Sequence, residues 1–250
     1  MITSIIPAHQ IGGISPALLL DFTSGSLDSR VTFTRTGSAS RVNASGLVES
    51  VSADTARFDY DPVTLACKGL LIEVTRENVI TNSANWNAAS WSTFVNGSAT
   101  ISRTANAGTA PDGTSTATQI DFNATGSDQA FVFSNVFAIT SGQLWAGSFY
   151  AKAATGADVG KQIIFRHAGA ASYTIATLTA DWVRYSSIET APLTFSPEMG
   201  VGLRPGVAGS SGAVSVLFWG AQQELGAFVT SYIPTTTGSA TRGDELAVID

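Results

Sequence analysis

Two groups of acidic side chains are the first place to look for chemistry. Glu73 and Glu77 stand four apart in LIEVTREN, and Asp54, Asp59 and Asp61 gather around TARFDYDP. Two carboxylates flanking a bond suffice for glycosidic cleavage, one as acid and the other as base or nucleophile. Arg57 and Arg76 offer these carboxylates a competing use, as ion pairs that anchor residues 50–77. The two histidines, His9 and His167, are too few and too far apart to assemble a catalytic or metal-binding cluster. His167 stands beside Ala168 and Gly169 and reads as a turn or surface residue. Nucleophile-elbow, zinc-protease, P-loop and dinucleotide fingerprints are all missing. Cys67 is the sole cysteine, which excludes an internal disulfide and suits a small buried apolar residue.

Binding chemistry has its own candidates. Trp86 and Trp91 lie in NSANWNAASWSTF, outside any strong alternation. As exposed rings they would stack on a sugar face, with Asn82, Asn85 and Asn87 bonding hydroxyls. As buried rings they would close one end of a core. Asp121 and Asp128, with the loop 123–126 between them, are candidate ligands for a structural calcium ion, although no EF-hand spacing is present. No other cofactor is expected.

The elements that must position these residues are strands. Charged residues make up only 13% of the 250 residues, so hydroxyls and amides must cover much of the surface or an oligomer must hide it. The net charge of −6 and scattered arginines argue against a surface that tracks nucleic-acid phosphates. No run approaches the roughly 18 apolar residues of a membrane span. The opening residues lack the basic start of a secretory signal. Residues 1–20 are apolar and broken by Pro7, Gly12, Gly13 and Pro16, so they read as an extended arm. Residues 21–77 carry much of the charge and read as a partly irregular wrapping segment, with strands at 31–35 and 69–74 and turns at 43–46 and 61–62.

From residue 78 onward, strands recur at short spacing. Segments 92–95 and 99–103 flank Asn96–Gly97, a hairpin signal. Further strands are expected at 117–122, 130–137, 143–152, 160–166, 172–177, 181–188, 199–204 and 213–219. In the last of these, Val214, Val216 and Phe218 alternate with Ser215, Leu217 and Trp219, which places apolar groups on both faces. In 143–152, Trp145 and Phe149 share a face with Gly147, which leaves room for a bulky group from a facing sheet. The pattern predicts an all-β fold: a two-sheet antiparallel β-sandwich (jelly roll) over 78–237, preceded by the arm and wrapping segment, with a tail at 238–250 packed on the body.

Several separated motifs carry a resemblance. DPVTLACKGLLIEVTRENVITNSANW resembles a junction found in many tailed-phage and prophage structural proteins. RVTFTRTGSASRVNASGLVES and TARFDYDP resemble the segment before it. APDGTSTATQI, SFYAKA, DWVRYSS and FWGAQQELGAFVTSYIPTTTGSATRGDE resemble the carbohydrate-binding-like jelly roll of the same proteins, so the match spans roughly 18–248. The resemblance implies a virion fibre, tail or head-decoration subunit, often homotrimeric, with no agreed catalytic residues. Gly69, Glu73, Arg76 and Asn78 map onto its junction motif, and Tyr232, Ile233, Pro234 and Arg242 onto its terminal motif, all as architectural positions.

The resulting expectation is a non-enzymatic virion surface protein, located in the particle. Its arm would dock on other virion proteins, it would self-associate as a homotrimer, and it would contact host-surface glycan. Arg242 is expected to pair with an acidic residue of the wrapping segment. A dedicated carbohydrate-binding module and a glycan depolymerase or lyase using carboxylates near 59–77 stand as alternatives.

Overall fold

The computed structural model describes residues 20–135, 137–169, 172–192 and 198–249. Apart from Leu20, the expected docking arm lies outside the described residues. Along the chain run β1 (Val31–Arg35), β2 (Ala39–Val42), β3 (Val48–Val51), β4 (Phe58–Tyr60), β5 (Cys67–Leu70) and β6 (Arg76–Asn78). Next come β7 (Ser92–Asn96), β8 (Thr100–Gly108), β9 (Ala117–Ala124), β10 (Gln129–Phe133), β11 (Leu144–Ala153) and β12 (Gln162–Arg166). The last are β13 (Thr174–Thr177), β14 (Val183–Thr190), β15 (Gly200–Leu203), β16 (Gly212–Leu225), β17 (Ala240–Arg242) and β18 (Glu245–Ile249). The one described helical element is a single 3-10 turn at Gly156–Asp158.

These elements form two compact units. The first gathers the chain up to Arg76 with Thr230–Tyr232 and the residues from Thr241 onward. It is built from three antiparallel pairs, β1 with β18, β2 with β3 and β4 with β5. Alternation in β1 turns Val31, Phe33 and Arg35 inward and Thr32 and Thr34 outward. Phe33, Phe58 and Leu70 form a small core, with Phe22, Leu27 and Ile72 packed against it. The expected strand at 69–74 stops at Leu70 because the amides beyond it find other acceptors. Leu71 donates to the Arg57 carbonyl, Glu73 to Glu245 Oε2 and Thr75 to Asp244 Oδ1, so no ladder continues.

The second unit spans Glu77–Val229 and Ile233–Ala240. It is a jelly-roll sandwich of two five-stranded antiparallel sheets, ordered β13-β12-β15-β10-β7 and β14-β11-β16-β9-β8. Inward residues of both sheets merge into one core that includes Ile120, Phe122, Val132, Phe149, Phe165, Val201 and Phe218. The Asn96–Gly97 turn is a corner rather than a hairpin. β7 pairs with β10 in one sheet, while β8 pairs with β9 in the other, so the chain changes sheets at Gly97, whose φ is 69°. Strand β16 continues to Leu225, well past the expected end at 219. Gly220, with φ of 63°, carries it through a register shift against β11 between Ser148 and Tyr150.

Candidate functional site

The outward face of the β13-β12-β15-β10-β7 sheet is a trough by construction. Ala130 and Val132 point into the core, so Gln129, Phe131 and Phe133 of β10 must point away from it. In β15, Val201 and Leu203 face inward, which leaves Gly200 and Gly202 as the outward positions. Register then fixes two rows across the face. Phe94, Phe131, Gly202, Ile164 and Ile175 lie side by side, as do Ser92, Phe133, Gly200 and Arg166. The central strand therefore presents no side chain. A Cβ on Gly200 would come within 2.3 Å of the Phe133 ring, and one on Gly202 within 1.9 Å of the Ala130 carbonyl oxygen. Glycine here lets rings settle onto the sheet floor.

Aromatic rings line the trough. Phe131 stacks on Phe133 with centroids 5.5 Å apart and on Tyr173 at 6.1 Å. Phe94 is paired across the ladder with Phe131 and is 44% exposed. Arg204 holds Tyr173 from behind, donating from Nη1 to the phenol oxygen at 2.9 Å. Together with Gln129, Arg166 and Glu198, the rings enclose a cavity of about 280 Å³. The Arg166 guanidinium lies over Phe133, 5.7 Å from its centroid. Among the described residues, the side chains of Gln129, Arg166 and Glu198 make no internal hydrogen bond or ion pair. Three polar groups thus face an aromatic cavity with their bonding capacity unspent.

The predicted tryptophan platform is not a surface. Trp86 is fully buried and Trp91 is 1% exposed; they stack at 4.1 Å, and Trp86 stacks again on Phe218 at 4.6 Å. Arg103 Nη1 donates to the carbonyls of both. Burying two indoles against the sandwich core outweighs any gain from leaving them wet. Asn82 then serves its own loop, bonding Ser90 Oγ and accepting from Trp91 Nε1, while Asn85 accepts from the Asn87 amide. Asn85 and Asn87 are exposed, with no aromatic platform beside them. The candidate calcium ligands have partners of their own. Asp121 accepts from Ser102 Oγ and Gln119 Nε2, Asp128 lies by Thr125, and no three His, Cys, Asp or Glu side chains converge among the described residues.

Of the pair Glu73 and Glu77, Glu73 is spent on arginines within the first unit, while Glu77 is exposed and belongs to the second. Glu73 meets Arg57 at 2.8 Å and Arg242 at 3.1 Å, the latter being the contact sought for Arg242. Burial pushes the Glu73 carboxyl up, but Arg242, Ser231 and Arg57 outweigh it and hold it below the usual carboxylate range. Glu245 takes Arg35 at 2.9 Å and Arg57 at 2.5 Å, all with fully buried side chains. Asp54 accepts from the Arg35 amide, Asp59 from the Val42 amide and Asp61 from the amides of Val63 and Thr64. These carboxylates shape the backbone of the first unit.

The remaining architectural residues divide between the units. In the first, Tyr232 is buried and its carbonyl accepts from Ser40 Oγ, while Arg76 Nη1 donates to the Thr75 carbonyl. In the second, Asn78 is buried; its amide nitrogen donates to the Ala221 and Ile233 carbonyls and its oxygen accepts from the Ile80 and Gln223 amides. Pro234 is exposed. His167, expected at a surface, is fully buried beneath Gly147, the small residue that makes room for its ring. Its Nε2 donates to Ser187 Oγ at 2.8 Å, and its Nδ1 accepts from Gln223 Nε2 at 3.0 Å. Burial lowers its pKa to about 4, against an opposing hydrogen bond to Ser187.

Sequence reasoning passed over the trough residues. Their signal was an aromatic-x-aromatic strand, Phe131–Val132–Phe133, and a Gly-x-Gly strand, Gly200–Val201–Gly202, which pair only in the fold.

No protein-family model and no curated protein sequence matches this chain. Several solved structures resemble it at low identity. A CBM4 carbohydrate-binding module is 20% identical over 44% of this chain and 84% of its own, with a TM-score of 0.34. The family 11 carbohydrate-binding module of a cellulosomal cellulase of Clostridium thermocellum is 10% identical over 62% of this chain and 96% of its own, with a TM-score of 0.40. The enzymatically active domain of tailspike protein 4 of bacteriophage CBA120 is 13% identical over 59% of this chain and 21% of its own, with a TM-score of 0.43.

Proposed function

We propose that this chain is a non-catalytic glycan-binding protein that holds a saccharide in the trough over Gly200 and Gly202. The observation that carries this reading is the pairing of aromatic walls with three unspent polar side chains. Sugar rings offer an apolar face for Phe133, Phe94 and Tyr173, which Phe131 backs at 2% exposure, and hydroxyl edges for Gln129, Arg166 and Glu198. The cavity is close to the lower end of the roughly 300–1,000 Å³ of small-ligand pockets, which suits a short saccharide segment. Among the described residues Glu198 is the sole carboxylate in the lining, whereas the machinery of glycoside hydrolysis takes two. Phe133→Ala is expected to weaken oligosaccharide binding about tenfold in titration calorimetry of the folded variant. Undiminished binding by that variant would remove the trough from the reading.

The same chain serves, in this reading, as a virion surface subunit that displays the trough to host glycan. The resemblance to tailed-phage structural proteins supports it, because Glu73 and Arg242, which carry that resemblance, bond to each other. A homotrimer located in the particle, with residues 1–20 docking on other virion proteins, completes the proposal. Sedimentation of the full chain tests the trimer. Antibody labelling of purified particles tests the location.

A further inference from the structure

We infer that the trough selects a saccharide carrying a carboxylate on one ring, with that carboxylate seated on Arg166 and the hydroxyls of a neutral neighbouring ring facing Glu198. The inference rests on reading the trough as a glycan site and names the class of sugar it takes.

The strongest support is the state of Arg166. Its ladder partner is Gly200, which has no side chain, and no carboxylate pairs with it among the described residues. Contact with the Phe133 ring fixes the guanidinium while leaving its N–H edges open. That is a planar fork of donors, and its natural complement is a planar, two-oxygen anion. Glu198 lines the same cavity without pairing with Arg166, so the fold keeps the two charges apart. A ligand that satisfies both must be anionic at one end and offer hydroxyl hydrogens at the other. A chain with an acid on every ring would place a second carboxylate against Glu198 and be penalised.

Local charge points the same way. The chain carries 19 acidic residues against 13 lysines and arginines, yet the trough and its backing hold Arg166 and Arg204 against Glu198 alone. Arg204 is committed to Tyr173, which leaves Arg166 as the cation available to a ligand.

The test is calorimetric titration of the full chain at low ionic strength with matched neutral and acidic probes. Cellobiose against cellobiouronic acid examines a uronate, and lactose against sialyllactose examines a nonulosonic acid. The acidic member of at least one pair is expected to bind about tenfold or more tightly, and the preferred pair identifies the source of the carboxylate. Arg166→Gln should abolish that preference, bringing the affinity for the acidic probe down to that for its neutral partner. Arg166→Lys, which keeps the charge and loses the fork, should retain only part of it. Glu198→Gln should raise affinity for the acidic probe. Equal binding of acidic and neutral members that still depends on Phe133 would overturn this inference and leave the glycan site standing. Failure of every probe to bind would overturn both. A preference that survives Arg166→Gln in a folded variant would also overturn the inference.

Discussion

A cluster of arginines in the first unit and one arginine of the second are used in opposite ways. In the first, Arg35, Arg57 and Arg242 meet Glu73 and Glu245, and the forks also donate to the carbonyls of Gly37, Ser40, Thr55 and Val74. In the second, Arg166 lies on a ring with no anion paired to it among the described residues. Both are guanidiniums shielded from water to some degree, and both are held rigidly. A buried charge held by several partners serves the fold, because removing them would strand it. A half-buried charge with donors idle at the edge of a cavity is available to something outside the chain.

The largest expected effect tests the first half of that contrast. Arg57→Ala should destabilise the first unit by about 3–5 kcal/mol in urea unfolding, since it leaves Glu73 and Glu245 buried with fewer partners. Arg166→Ala should change stability by less than about 0.5 kcal/mol, and similar losses from both would erase the distinction. Trp86→Ala comes next, costing the second unit about 3–5 kcal/mol through a cavity between Trp91 and Phe218. A variant that kept its stability and lost sugar binding would restore the tryptophans as a platform.

Acid should separate the units in a defined order. His167 titrates near 4 in the fold and near 6.5 when unfolded, so the unfolded chain binds the extra proton between those values. Stability of the second unit should therefore fall by about 3 kcal/mol as pH drops from 6.5 to 4, and His167→Gln should flatten that slope. Glu73 has a depressed folded pKa. Its contribution is present above the unfolded carboxylate value of 4.5 and is lost only as pH falls through the folded one. The smallest effect belongs to Val95→Thr, an exposed position of β7, which should move stability by less than about 0.5 kcal/mol.

Period-two alternation made the sandwich legible, since apolar parity survives whatever the strands pair with. Phe149, Val214, Val216 and Phe218 fall where parity places them. Pairing partners were not legible. Asn96–Gly97 has hairpin chemistry, but whether the next strand turns back or crosses to the other sheet depends on contacts far along the chain. The trough was hidden for the same reason, because its glycines and phenylalanines are about 70 residues apart and meet only through register. Trp86 and Trp91 misled because a loop of small polar residues says nothing about what lies beneath it. The Arg242–Glu73 contact was legible through the resemblance, not through spacing.

The antiparallel pairing of β1 with β18 ties residue 31 to residue 249. On a ribosome, Arg35 emerges 210 residues before Glu245 and Arg57 emerges 188 before it, although Glu245 pairs with both. Throughout that interval the nascent chain lacks the carboxylate that joins Arg35 to Arg57, while all of Glu77–Val229 is synthesised. The unit begun first is finished last, so a chain halted before Glu245 holds a complete set of sandwich strands and an unfastened beginning. Quality control by proteases would meet its weak point there.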